Sequence, residues 1–96
     1  MNGVDDLRRN RRHRVLKQGK VISVDKTTVI DVMIRNMSAA GLRVQIPMSV
    51  VLPADFGILI ISESLFYPVA MRWRKGDFMG VEFVGPASYM GEYLST

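Results

Sequence analysis

Two short stretches hold the side chains that could do chemistry. The first, RRNRRHRV at residues 8–15, carries five arginines, Arg8, Arg9, Arg11, Arg12 and Arg14, with His13 among them. Guanidinium groups at that density select an anion, either as a general adhesive or as a grip on one ligand. The second, NMSAAG at residues 36–41, sets an amide at Asn36, a hydroxyl at Ser38 and a glycine at Gly41 between two segments of alternating polarity. Taken alone it reads as turn chemistry. Asn36 and Ser38 can cap their own backbone, and Gly41 can supply a positive φ.

Other chemistries find no support in the residues. His13 stands among arginines, and it has no second histidine or carboxylate pair at metal-ligand spacing. The chain has no cysteine, so thiolate metal sites and disulfides are excluded and a reducing, cytoplasmic setting is expected. It shows no glycine-rich phosphate loop and no nucleophile elbow. Asp25, Glu63 and Asp77 read as turn and solubility residues. The expectation is a non-catalytic protein with no metal and no cofactor of its own. Asn36-Met37-Ser38 matches a glycosylation sequon, but MNGVDDLRR at the start has no apolar run to act as an export signal. No segment reaches the ~18 apolar residues of a membrane span.

The charge is divided along the chain. Residues 1–20 hold seven Lys or Arg against two Asp, or +5, whereas residues 21–96 hold six against seven acidic residues, or −1. A basic arm therefore precedes a nearly neutral body. A flexible arm is expected over 1–14 and a folded domain over 15–96, because the arm has too many like charges and too few apolar groups to pack. Nucleic acid is disfavoured as a partner, since counterion release needs positive charge spread over the body.

The elements that must position these residues are strands. Ile30, Val32 and Ile34 alternate with polar or charged neighbours, as do Leu42, Val44 and Ile46. Further strands are expected over 15–24, 56–61, 67–74 and 78–84, with hairpin connections at 25–28, 62–64 and 75–77. A helical turn is expected at 52–55 and a short C-terminal helix over 86–94, weakened by Gly91. Six antiparallel strands with no helix long enough to cover a sheet predict an all-β fold, a small closed barrel. Trp73, between Arg72 and Arg74, is expected in the core or the barrel wall rather than as a stacking platform, and Arg11 and Arg14 as solvated charge.

Arg8 and Arg12 as RxxxR, then Asn36, Ser38 and Gly41 as NxSxxG two dozen residues later, resemble the paired signature of the PilZ domain family. RVLKQGKVI, VMIRNMSAAGLRV and MRWRKGDFMGVEF extend the likeness over residues 8–84. The resemblance implies a stand-alone cytoplasmic receptor for the bacterial second messenger cyclic di-GMP, on a six-stranded antiparallel barrel. It assigns ligand binding to Arg8, Arg12, Asn36, Ser38 and Gly41, with Arg9 auxiliary. The arginines would fork onto phosphate or guanine O6/N7, Asn36 and Ser38 would read a guanine edge, and Gly41 would admit close backbone approach. The family often has Asp where this chain has Asn36, and a neutral amide accepts more weakly. Leu7, just before the first motif arginine, leans toward one bound molecule. Binding would order the arm and alter contacts with a downstream protein in motility or biofilm regulation. Two other readings stay open: a PilZ-like interaction module without a ligand, and a small barrel that binds single-stranded nucleic acid.

Overall fold

Period-two alternation becomes seven strands in the computed structural model, which describes residues 12–90. They are β1 (His13–Ser23), β2 (Val29–Met37), β3 (Gly41–Gln45), β4 (Phe56–Ile60), β5 (Leu65–Lys75), β6 (Phe78–Phe83) and β7 (Ser88–Tyr89). All pairings are antiparallel, in the order β4-β1-β2-β3-β6-β5-β7, and β4 also pairs with β5. That last pairing closes six strands into a barrel and leaves β7 outside. β1 starts at His13, so His13 and Arg14 belong to the barrel wall, where they pair with Met37 and Asn36.

Inward side chains of every barrel strand form one core. Val21, Ile34, Val44, Ile46, Ile58, Ile60 and Met79 are fully buried there, with Val32, Leu42, Phe56, Val69 and Val81 nearly so. Burying such side chains contributes about 1.5–3 kcal/mol each, which is the main force closing so small a barrel. Tyr67 and Phe83 stack with ring centroids 4.6 Å apart and pack against this core.

Two expected helical pieces are absent among the described residues. Residues 52–55 run as irregular backbone, because Pro53 pushes Leu52 away from the α region. Instead of entering a helix at residue 86, the chain lays Ser88 opposite Phe66 and Tyr89 opposite Leu65. Met90 N–H then donates to the Ser64 carbonyl at 2.7 Å. A short helix with a glycine inside bears a nucleation cost and about 1 kcal/mol for the glycine, whereas β5 offers a ready ladder. The rest of the expected helix, 91–94, lies outside the described residues. The one helical turn present among the described residues is the 3-10 turn Ile61–Glu63, at the connection expected as a hairpin.

The β1–β2 turn is built on Asp25. One carboxylate oxygen accepts from Ser23 Oγ at 2.7 Å, Thr27 Oγ1 at 2.7 Å and Thr27 N–H at 3.1 Å. These bonds, the Ser23 hydroxyl foremost, lower the Asp25 pKa to about 2. Since the folded value lies below the ordinary 3.8, the turn's contribution is present above that value and is lost as pH falls toward 2. Carboxyl-carbon shifts followed from about pH 5 down are expected to show Asp25 titrating well below 3.8, at about 2, with the Thr27 amide moving in step. Titration of Asp25 near its ordinary value would refute the hydrogen-bonded turn.

Candidate functional site

Unbroken alternation would bury Asn36, since Ile30, Val32 and Ile34 of the same strand face the core. A bulge prevents it. Ile34 pairs with Val44 and Asn36 with Arg43, which leaves Arg35 as an extra residue against β3. On the other side of β2, Val15 and Leu16 of β1 stand opposite Arg35 alone. A third irregularity leaves Arg72 of β5 extra, between the Met71–Val81 and Trp73–Gly80 pairs. A bulge reverses the in–out phase of the residues beyond it. Asn36 and Trp73 are thereby turned to the outer face.

The registers then align one outward position from each of five strands. Arg14 of β1 lies opposite Asn36 of β2, Asn36 opposite Arg43 of β3, Arg43 opposite Gly80 of β6, and Gly80 opposite Trp73 of β5. The row is mutually braced. Arg43 Nη1 donates to Asn36 Oδ1 at 3.3 Å, and the Arg43 guanidinium carbon lies 4.0 Å from the centroid of the Phe78 ring. A Cβ on Gly80 would lie 2.0 Å from Trp73 Nε1, so the indole rests on bare glycine backbone. Trp73 remains 38% exposed.

The turn after β2 sits beside this row. Ser38 N–H donates to the Gly41 carbonyl at 3.0 Å, while Ser38 Oγ accepts from Ala40 N–H at 3.1 Å and Gly41 N–H at 3.2 Å. The Ala40 carbonyl accepts from Phe83 N–H at 2.9 Å and ties the tip to β6. Gly41 does not have a positive φ; among the described glycines only Gly76 does. Its role is close approach, since a Cβ would meet the Val81 carbonyl oxygen at 2.0 Å.

The row from Asn36 to Trp73 and the turn together line a groove of ≈ 210 Å³. Arg12, Asn36, Ser38, Gly41, Arg43 and Trp73 are in its lining, and the Arg72–Glu82 ion pair forms part of the wall. Neither a family model, nor a curated protein, nor a solved structure matches the chain. Of the residues singled out from the sequence, Arg12, Asn36, Ser38 and Gly41 share the groove; Arg8, Arg9 and Leu7 lie outside the described residues.

Their geometry redistributes the expected tasks. Ser38 holds the turn, and Gly41 makes room for β6. Asn36 already accepts one bond from Arg43, which leaves its second carbonyl lone pair and its amide donors for something else. Arg43 and Trp73 also line the groove and Arg14 stands in the row beside it; the sequence leaves Arg43 unmarked, reads Trp73 as core or wall and reads Arg14 as solvated charge. The signal for Trp73 was the glycine across its hairpin, Gly80. The signal for Arg43 was its outward phase between Leu42 and Val44. Nothing in the sequence marked the bulges that bring Arg14 opposite Asn36. Among the described residues, no group of three or more His, Asp or Glu side chains could hold a metal ion. No helix there is long and apolar enough to cross a membrane.

Proposed function

We propose that the chain is a non-catalytic receptor for cyclic di-GMP. The observation that carries the reading is the gathering of Arg12, Asn36, Ser38 and Gly41 around one groove that also presents an exposed indole. Each part of the ligand has a counterpart. A guanine stacks on Trp73, for which every base offers a π face. Asn36 uses its second carbonyl lone pair to accept from the base N1 or N2 edge. Arg12 forks onto a phosphate or onto O6 and N7. At ≈ 210 Å³ the groove is smaller than the ~300–1,000 Å³ that covers a drug-sized ligand. It therefore takes one base and its phosphate, and the resemblance assigns Arg8 and Arg9 to the remainder of the ligand. The surface around Arg12 changes on binding, and a downstream partner protein reads that change.

The test is calorimetric titration of the full chain with cyclic di-GMP, GTP and a short single-stranded oligonucleotide. Saturable heat is expected with the first alone. Arg12→Ala is expected to cost about 1–3 kcal/mol of binding, as for loss of a bidentate contact. Ser38→Ala is expected to cost about as much by another route, since two turn N–H groups lose their acceptor and the groove edge loosens. Equal heats from wild type and both variants would rule the receptor reading out.

A further inference from the structure

Beside the groove lies a second hollow of ≈ 390 Å³, lined by Arg14, Val15, Arg35, Asn36 and Arg43. Three arginines and one amide line it, with no carboxylate in its wall among the described residues. The bulges create this cluster. Arg35 is the extra residue of β2, and the extra residue of β1 sets Arg14 directly across from Asn36. Like charges brought together repel, so the manner in which they are held is informative.

The holders are neutral. Arg35 Nη1 donates to Gln45 Oε1 at 2.8 Å, and Arg43 Nη1 donates to Asn36 Oδ1 at 3.3 Å, with the Phe78 ring against its guanidinium. The lysines of β1 are treated differently, each meeting a carboxylate: Lys17 with Glu63 at 2.5 Å and Lys20 with Asp31 at 2.6 Å. An amide oxygen fixes the direction of a guanidinium without cancelling its charge. Arg35 and Arg43 are also half-buried, so water screens them less than free surface charges. Positive potential is thus concentrated in a concave, pre-organised site. Each of these two forks spends one donor on its holder and keeps the rest for an acceptor.

We propose that this hollow is a phosphate-group site. It takes a tetrahedral phosphoryl oxyanion carrying two or more negative charges, with Arg35 and Arg43 forking onto its oxygens and Arg14 closing the third side. The site goes beyond the cyclic di-GMP reading, which places its ligand in the neighbouring groove with Arg12, Trp73 and the Ser38 turn; Asn36 and Arg43 line both, whereas Arg14 and Arg35 belong to the hollow alone. The hollow stands whether or not that reading does.

The probe is inorganic pyrophosphate, added to the full chain at constant ionic strength and followed by amide shifts. Saturable changes are expected at Arg14, Arg35, Asn36 and Arg43. Arg14→Gln and Arg35→Gln are each expected to weaken binding about tenfold, the loss that goes with one charge-assisted hydrogen bond. Lys26→Gln, which removes the same charge beyond the opposite end of β1, is expected to leave affinity unchanged. The wild-type shift map tests the site even if a variant folds poorly. Failure to saturate, shifts spread over the lysines, or equal weakening by Lys26→Gln would overturn the proposal. Pyrophosphate binding without cyclic di-GMP binding supports the hollow and removes the receptor reading.

Discussion

Gly41→Ala is expected to cost about 3 kcal/mol of folding stability, the top of the range for overpacking a well-packed site. The reason is the kind of obstacle. An alanine Cβ would lie 2.0 Å from the Val81 carbonyl oxygen and 3.0 Å from the Glu82 Cα, and neither can swing aside as a side-chain tip would. Relief requires β3 to move off β6, one of the pairings that close the barrel. The same movement strains the bond from Phe83 N–H to the Ala40 carbonyl. At ~4–8 °C per kcal/mol for a domain of this size, the melting midpoint should fall by roughly 12–24 °C. Gly76→Ala is the comparison. Gly76 has φ +55, and a Cβ there would have nothing within 4 Å, so its cost is the backbone term alone, about 1–2 kcal/mol. A smaller loss at residue 41 than at residue 76 would show that close approach to β6 is not what requires the glycine.

Gly41 also shows what the sequence could and could not convey. The glycine was visible and its association with a turn was correct, but a positive φ and a close contact leave the same letter in the chain. The strands were legible because alternation is a local property; Ile30, Val32 and Ile34 report their burial without knowledge of a partner. The closed barrel followed from their number and from the lack of any covering helix. The C-terminal segment was misjudged because β5 offers it a ladder that no local pattern reveals. The bulges were the larger loss. Alternation extrapolated through Arg35 and Arg72 puts Asn36 and Trp73 inside, and it takes the pairings on both sides to turn them out. Arg14 reads as solvated charge in the sequence for the same reason: its neighbours Asn36 and Arg43 are brought to it by register.

Trp73→Ala is expected to weaken cyclic di-GMP binding by about 1–3 kcal/mol, or roughly 5- to 150-fold, the usual loss when a base forfeits its aromatic platform. Stability should change less, because the side chain is 38% exposed and lies on the outer wall, away from the barrel core. Two further substitutions separate stacking from bulk. Trp73→Phe retains a π face and should recover most of the affinity. Gly80→Ala leaves the tryptophan in the chain but removes its seat, since the new Cβ would collide with Nε1; binding should fall although no ligand-facing atom has been deleted. The protein contains one tryptophan, so its emission reports on this position alone. Saturating ligand should quench it with the same midpoint as the calorimetric heat. Heat without a change in emission would place the base elsewhere on the barrel. In that case the row from Arg14 to Trp73 would have to be explained by the phosphate-binding half of its chemistry.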